Sequence, residues 1–382
     1  MQVCKFTLPE IIVGCGVLEQ AGKAARRLGA TRVLVVSDPG IIAAGWLEQM
    51  LPAIEQEGLD FAIWTGVTPN PKDYEVEAGA AFYRAQRCDA LVVLGGGSCI
   101  DAAKGIAVLS TNGGRIHDYE GIDRITRPLP PLVAIPTTAG TGADVSQFAV
   151  ITDTRRRIKM TLISKSLIPD ISLTDPLLLT TKDAWLTAST GMDALTHGIE
   201  SYVSLAATFL TEVHSLRAIS LAVAGLRRSV ASQSDLEAKE IMARSSLHAG
   251  MAFSNAILGA THAMAHQVGG LLDQPHGELN AILLPTVMEY NLPACPERYA
   301  TIAEAMGLPV AGLPPMEAGA MAIEAVRALV ADVGLTRGLA DLGVKERDLP
   351  TLSANAMHDA CMATNPREAS VEAVMELFYA AM

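Results

Sequence analysis

The stretch that decides the fold of the first half of the chain is Ala90-Leu-Val-Val-Leu-Gly-Gly-Gly-Ser-Cys-Ile-Asp101. Its first five residues are an uninterrupted apolar run, which is typical of a strand buried on both faces of a parallel sheet. Three glycines follow, where backbone amides can approach an anion closely, and Ser98 with Asp101 has the pattern of a capping box that starts a helix. A Gly-rich loop alone is often only a tight turn. Strand, loop and capped helix in succession predict a phosphate-binding unit.

An earlier strand, Arg32 to Ser37, ends directly before Asp38. In a doubly wound fold an acidic side chain at this place accepts hydrogen bonds from an adenosine ribose, and its charge repels a 2′-phosphate. The alternative, that Asp38 only opens the turn Asp38-Pro39-Gly40, explains an aspartate at this place equally well. Because no G-x-G-x-x-G follows this strand, the phosphate site is predicted at the later glycine loop.

A third unit runs from Val133 to Ile135 into Pro136-Thr-Thr-Ala-Gly-Thr-Gly142. Its dense hydroxyls and free amides suit contacts with the ribose and phosphates of a nucleotide, and a surface turn is the alternative. The basic run Arg155-Arg156-Arg157 lies between two β-like segments and predicts a hairpin turn. Lys159, in the strand after it, either places a cation near the phosphates or is a surface lysine.

The alternation of strand-like and amphipathic segments predicts an α/β dinucleotide-binding domain with a mostly parallel sheet over residues 1–180. After Asp175-Pro176 the strand-like runs stop, and an all-α metal-binding domain is predicted over residues 181–382, with a cleft between the two. A length of 382 residues agrees with two domains. Candidate helix breaks in the second half include Gly250, Pro275 and Pro285.

The composition narrows the partners and the compartment. A formal net charge of -12 repels phosphate backbones and anionic lipids, so neither nucleic acid nor membrane is expected as a partner. The six cysteines are scattered without C-x-x-C spacing, which indicates reduced thiols in a cytoplasmic protein. The first residues lack a signal-peptide pattern, and no apolar run reaches the length of a membrane span.

Two pairs of residues in the second half have metal-ligand spacing. His262 and His266 stand four apart, as do Asp193 and His197, so each pair shares one face of a helix. Pro275 breaks the helix of the first pair, and His276 opens the next one. Brought together, these residues offer several imidazoles and one carboxylate to a divalent transition metal.

The remaining histidines call for more ordinary interpretations. A lone helical histidine is usually a satisfied core or surface residue, and His214, His248 and His358 are interpreted in that way. The role of His117, in Ile116-His-Asp-Tyr119, is left open.

These features together resemble the iron-containing (group III) alcohol dehydrogenase family over nearly the whole chain. Six matching segments occur in the family's order: Thr68-Pro-Asn-Pro71, Gly95-Gly-Gly-Ser-Cys-Ile-Asp-Ala-Ala-Lys104, Pro136-Thr-Thr-Ala-Gly-Thr-Gly142, Gly191-Met-Asp-Ala-Leu-Thr-His-Gly-Ile-Glu200, His262-Ala-Met-Ala-His266 and Pro275-His-Gly277. The chain departs from the family at Ala143-Asp144, where Ser-Glu is frequent, and at Cys99, where proline or a small residue is common.

The resemblance implies the role of each residue. The metal, Fe²⁺ or else Zn²⁺, would be held by Asp193, His197, His262 and His276, while His266 falls outside this set, near the nicotinamide and substrate, as a catalytic proton carrier. Asp38 would favour NAD over NADP, and Gly96, Gly97 and Ser98 would hold the pyrophosphate. The other predicted cofactor-binding residues are Asp101, Thr137, Thr138, Thr141 and Lys159.

The implied reaction is hydride transfer between NAD(H) and a short or medium primary alcohol or its aldehyde, in a homodimer or higher homo-oligomer. A divalent metal with an open position suits the Lewis-acid part of that chemistry. Three alternatives stay open: a glycerol or diol dehydrogenase, a maleylacetate reductase or lyase such as dehydroquinate synthase, and a regulatory protein with little turnover. The residues alone do not distinguish iron from zinc.

Overall fold

The computed structural model describes residues 4–382, which form two compact units. One unit is Thr7–Thr181, and the other contains Lys182–Met382 together with residues 4–6. The ring of Phe6 stacks on His214 with centroids 5.6 Å apart. This aromatic contact joins the first described residues to the helical unit.

The α/β unit is built on a six-stranded sheet in the order β1-β9-β6-β4-β2-β3, and every neighbouring pair in it is parallel. This confirms the predicted fold class. The strands are β1 (Glu10–Val13), β2 (Arg32–Val36), β3 (Asp60–Trp64), β4 (Ala90–Gly95), β5 (Gly121–Ile122), β6 (Leu132–Pro136), β7 (Phe148–Asp153), β8 (Ile158–Ile163) and β9 (Ile171–Thr174). The helices are α1 (Ala21–Arg27), α2 (Pro39–Ala43), α3 (Trp46–Gln56), α4 (Asp73–Ala85) and α5 (Gly97–Asn112).

Strand β4 lies at the centre of this sheet and is buried on both faces. Leu91 and Val93 point into one hydrophobic core, whereas Val92 and Leu94 point into the other. The period of two along the strand divides its side chains between the two faces. Because both faces are covered, the strand tolerates no polar residue, which explains its continuous apolar run.

The start of α5 corrects one prediction. The helix has Gly96 at its N-cap and no side-chain cap, so the predicted capping box is wrong. Ser98 Oγ instead accepts a hydrogen bond from the Asn70 amide at 3.1 Å, and Asp101 Oδ2 accepts one from the Val150 amide at 3.1 Å. Tertiary neighbours engage both side chains, so neither of them caps the first turn.

A smaller sheet in the same unit has the order β5-β8-β7. Strands β7 and β8 pair antiparallel around the basic run, and Arg157 has a φ of 57° in that turn. The predicted hairpin is therefore confirmed. A left-handed residue of this kind is common where two strands reverse direction.

The second unit is helical, as predicted, and contains no strand among its described residues. Its helices are α6 (Ala184–Val203), α7 (Phe209–Ala231), α8 (Leu236–Ala256), α9 (Ala260–Leu272), α10 (His276–Asn291), α11 (Pro296–Ala305), α12 (Pro315–Asp332), α13 (Leu349–Ala356) and α14 (Val371–Ala380). By length and composition α7 alone, among the described helices, could cross a bilayer. It packs against α6 and α8, which is also how a core helix is placed.

The breaks predicted in this unit have mixed outcomes. The break at Pro275 is confirmed, because α9 ends at Leu272 and α10 begins at His276. The breaks at Gly250 and Pro285 are wrong, because these residues lie inside α8 and α10. Each weakens its helix locally, but the packing of α8 on α7 and of α10 on α6, α9 and α12 outweighs the local preference.

Candidate functional site

Three helices bring the predicted metal-ligating residues together. Helix α6 carries Asp193 and His197 one turn apart, α9 carries His262 in its first turn, and α10 begins with His276. The side chains of Asp193, His197 and His262 are at most 5% exposed, and that of His276 is 24% exposed. One imidazole thus lies at the mouth of an otherwise buried cluster.

The distances within this cluster suit a shared ion. Asp193 Oδ1 lies 3.6 Å from His262 Nε2, 3.8 Å from His276 Nε2 and 3.8 Å from His197 Nε2. Ligand atoms of Asp193, His262 and His276 all lie within 4.8 Å of one another. With bonds of about 2.1 Å, donor atoms around one transition metal are separated by roughly 3 to 4 Å.

The charges in the cluster favour a cation. Burial by itself would raise the pKa of Asp193, but the imidazoles of His197, His262 and His276 lower it well below its usual range. Burial by itself would lower the pKa of His262, but the carboxylates of Glu200 and Asp193 raise it to about 9. The two carboxylates therefore draw positive charge into the site, either as protons or as a metal ion.

Asn280, one turn after His276 on α10, tests whether the cluster fits a metal. Its Nδ2 lies 2.7 Å from Asp193 Oδ1, 3.0 Å from His262 Nε2 and 3.2 Å from His276 Nε2. An amide nitrogen has only two hydrogens for these three acceptors. Asn280 Oδ1 is buried and has no hydrogen-bond partner in the described part of the chain. The three acceptor atoms therefore direct more lone pairs at this place than the amide has hydrogens to bind. Such a set of lone pairs fits a divalent cation.

Glu200 is a functional residue that the sequence interpretation did not assign. Its Oε2 lies 2.5 Å from His262 Nδ1, and its Oε1 accepts a hydrogen bond from the Thr261 amide at 2.7 Å. A carboxylate at Nδ1 holds the proton there and leaves Nε2 as the ligand atom. The signal was present, because Glu200 follows Asp193 by seven residues and therefore lies on the same face of α6.

Replacing Glu200 by glutamine is expected to weaken metal binding by about 10- to 100-fold. The substitution keeps the size of the side chain but removes the charge that holds the Nδ1 proton of His262. Competition with a fluorescent chelator measures the affinity. Glu240→Gln is the matched control, because Glu240 is an exposed partner of Arg244 on α8. Equal affinities for Glu200→Gln and the unsubstituted enzyme would contradict this role.

His266 lies beside the cluster but has a different partner. Its Nδ1 is 2.9 Å from Asp359 Oδ2, and its ring stacks on His276 with centroids 5.3 Å apart. Asp359 was not predicted, since it lies 93 residues away in sequence and no helical spacing relates the two. The geometry thus separates His266 from the residues that converge on Asp193.

The predicted nucleotide residues meet at one edge of the large sheet. Strands β2, β4 and β6 are parallel neighbours, so the residues after them share the carboxyl edge. A Cβ on Gly96 would lie 3.2 Å from Thr138 Cγ2, and one on Gly97 would lie 2.7 Å from Thr141 Cγ2. The glycine loop and the threonine loop are therefore in contact.

The hydroxyls at this edge are suited to a polar cofactor. The Oγ1 atoms of Thr137 and Thr138 are buried and lack a hydrogen-bond partner among residues 4–382. Buried hydroxyls without partners are costly, and a nucleotide with ribose and phosphate oxygens can satisfy them. The residues present thus fit the predicted cofactor.

Three further predicted cofactor residues have protein partners at this edge. Asp38 caps α2 by accepting from the Ile41 amide at 3.0 Å, and its Oδ2 accepts from the Cys99 thiol at 3.2 Å. Lys159 Nζ donates to Asn70 Oδ1 at 2.9 Å, and the Asn70 amide donates to Ser98. Asp101 bonds to Val150, as described above. The turn-opening role of Asp38 is thus present, and its role toward a ribose remains a prediction.

The other histidines lie outside this cluster. His214 Nδ1 and His248 Nδ1 are 2.9 Å apart, and burial with the charges of His214 and Arg217 lowers the pKa of His248 to about 4. His358 is exposed. His117 belongs to the α/β unit, with its Nε2 3.2 Å from Asp73 Oδ2.

Comparison with known proteins shows the family of this chain. The family model described as "Iron-containing alcohol dehydrogenase" matches residues 9–176, and "Fe-containing alcohol dehydrogenase family, C-terminal" matches residues 187–382. The chain is 44% identical over 376 residues to the 1,3-propanediol dehydrogenase of Citrobacter freundii, with 98% of this chain and 97% of that protein covered. It is 40% identical over 372 residues to the NAD-dependent methanol dehydrogenase of Bacillus methanolicus, with 97% and 98% covered.

A solved structure of a 1,3-propanediol oxidoreductase matches with a TM-score of 0.97 and 43% identity, and both chains are covered completely. The chain belongs to the iron-containing alcohol dehydrogenase family, as its motifs predicted. It is an NAD-dependent oxidoreductase of alcohols and aldehydes.

Proposed function

We propose that this enzyme holds Fe²⁺, with Zn²⁺ as the alternative, in the Asp193 cluster and interconverts short primary alcohols or diols with their aldehydes. The observation that carries the proposal is the convergence of Asp193 Oδ1 with three imidazole Nε2 atoms in a buried pocket. When bound, the metal supplies Lewis acidity that lowers the pKa of a substrate alcohol, and NAD accepts the hydride.

The chain's own residues have separate tasks in this proposal. Asp193, His197, His262 and His276 hold the metal, and Glu200 keeps His262 in the tautomer that leaves Nε2 free. His266 carries the proton between the substrate alcohol and solvent. The contact with Asp359 supports this assignment. It holds the His266 ring next to His276, and neither ring nitrogen of His266 is among the atoms that converge on Asp193.

The nucleotide site is proposed at the carboxyl edge of the sheet. Gly96, Gly97 and Ser98 hold the pyrophosphate at the start of α5, where free helix amides favour negative charge. The unpartnered hydroxyls of Thr137 and Thr138 support contacts with the nucleotide. The Asp38 carboxylate would repel a 2′-phosphate and so select NAD over NADP.

A small substrate is proposed from the surroundings of the cluster and from the relatives. The ring of Phe253 stacks on His197 with centroids 4.3 Å apart, so an apolar ring borders one of the proposed ligands. Two relatives are named for 1,3-propanediol and for methanol, both of which are short alcohols. A short aliphatic alcohol or diol suits this combination of an apolar ring and one polar centre.

One set of assays tests the metal, the substrate and the nucleotide together. Chelation is expected to abolish oxidation of C1 to C4 alcohols and diols, and adding back Fe²⁺ or Zn²⁺ is expected to restore it in proportion to bound metal. The measurements are NADH absorbance and metal analysis of the same sample. Full activity in a verified metal-free sample would contradict the requirement for a metal. A higher kcat/KM with NADP than with NAD would contradict the proposal that Asp38 selects NAD.

Two further expectations remain predictions. A homo-oligomer is proposed from family membership and is checked by light scattering during size-exclusion chromatography. A cytoplasmic location is proposed because none of the six cysteines, all of which lie within residues 4–382, forms a disulfide, which suits a reducing compartment.

A further inference from the structure

The turn after α13 contacts both ends of the histidine-bearing segment of α9. Asp359 Oδ2 lies 2.9 Å from His266 Nδ1 in the second turn of that helix. Asn365 Oδ1 accepts from the Ala260 amide at 3.1 Å, and Thr364 Oγ1 donates to the Leu258 carbonyl at 2.6 Å, just before the helix. The segment from Asp359 to Asn365, which we call the brace, therefore contacts α9 at its start and in its second turn.

Within this brace the carboxylate of Asp359 is held in a fixed direction. Its Oδ1 accepts from the Cys361 amide at 2.9 Å, which leaves Oδ2 directed at His266. The side chains of Asp359 and His266 are only 7% and 6% exposed, so water does not compete strongly for the contact. A buried carboxylate with one oxygen bound by a backbone amide of its own turn is well suited to orient an imidazole with the other oxygen.

The contact determines which nitrogen of His266 carries the proton. An ionised carboxylate accepts hydrogen bonds and cannot donate, so Nδ1 must be the N–H and Nε2 keeps its lone pair. The ring is also fixed in direction, because it stacks on His276 with planes 17° apart. One tautomer and one ring orientation are therefore selected before any substrate binds.

We propose that Asp359 is the positioning residue that holds His266 as its Nδ1–H tautomer, so that Nε2 is the atom that accepts the substrate proton. The inference rests on the proposed proton role of His266. In oxidation the substrate hydroxyl proton passes to Nε2, while the hydride passes to NAD. In reduction the same proton returns from Nε2 to the product oxygen.

Asp359→Asn is the informative change because it alters polarity more than shape. An asparagine can still accept from the Cys361 amide through Oδ1, but its amide group then directs N–H bonds at His266 Nδ1. Since Nδ1 must then accept, the proton moves to Nε2 and the tautomer is inverted. The expected result is a loss of kcat of about 10- to 100-fold with unchanged bound metal and unchanged KM for NAD.

The tautomer itself is measured by ¹⁵N NMR of histidine-labelled enzyme, with the His266 signals identified from their absence in His266→Ala. Asp359→Glu restores a carboxylate and is expected to regain part of kcat and the Nδ1–H signature. Thr364→Val is the matched control, because it removes another contact of the same brace without touching His266. It is expected to lower Tm while leaving kcat and the tautomer unchanged.

The outcomes separate this inference from the proposed function. If His266→Ala slows turnover and Asp359→Asn does not, the positioning role is overturned and the proton role stands. If His266→Ala leaves turnover unchanged, the proton role fails and the positioning role fails with it. A parallel loss of bound metal in Asp359→Asn, or an uninverted tautomer, would show a purely structural residue and overturn the proposal.

Discussion

Replacing Asp193 by alanine is expected to remove the metal and to lower kcat/KM for alcohol oxidation by on the order of 10³-fold or more. Asp193 Oδ1 is the atom on which three imidazole Nε2 atoms converge, and its low pKa keeps it ionised. Without it the cluster consists of imidazoles that repel a cation whenever they are protonated. Several kcal/mol of Lewis-acid stabilisation disappear with the metal, which sets the size of the effect.

Metal analysis after desalting and steady-state kinetics measure this effect. Asp332→Ala is the control, because it removes an aspartate of the same unit that forms an exposed pair with Arg227. That variant should keep both metal and activity. A thermal melt checks that Asp193→Ala is still folded, and a full complement of metal in this variant would contradict the assignment.

Gly277→Ala is expected to lower both Tm and metal occupancy. A Cβ on Gly277 would lie 2.2 Å from the backbone oxygen of Ser189 on α6, and a backbone atom cannot move aside as the end of a side chain can. The start of α10 must shift, and His276 shifts with it. Overpacking of this kind typically costs about 1 to 3 kcal/mol. The loss of ligand geometry is expected to reduce metal affinity as well.

Another buried helical glycine separates the two effects. A Cβ on Gly319, in α12, would lie 2.9 Å from Tyr299 Cβ, an atom attached directly to the backbone, in a region that carries no predicted ligand. Gly319→Ala should therefore lower Tm without changing metal occupancy. Calorimetry and metal titration are the measurements, and equal metal affinity in the two variants would show that the position of Gly277 does not control His276.

Local patterns predicted the parts of this protein whose causes are local. The buried strand β4, the glycines after it and the helix break at Pro275 all follow from the preferences of residues close in sequence. The Asp193–His197 and His262–His266 pairs follow from the period of an α-helix. The order of six motifs along the chain identified the family, which the comparisons confirm.

Patterns failed where a side chain had a distant partner. Ser98 and Asp101 match a capping box, but the Asn70 and Val150 amides engage them. Gly250 and Pro285 are local helix breakers, but burial against neighbouring helices keeps both segments helical. In each case a tertiary contact is stronger than a local preference worth about 1 to 3 kcal/mol.

The sequence by itself determined the fold class, the family and the histidines that form the cluster, because spacing along a helix or strand directs each side chain to a face. Only the tertiary structure decided how those histidines are held. Glu200 meets His262 across 62 residues and Asp359 meets His266 across 93. No periodicity relates residues on different helices, so partners that fix a tautomer are visible only once the helices have packed together.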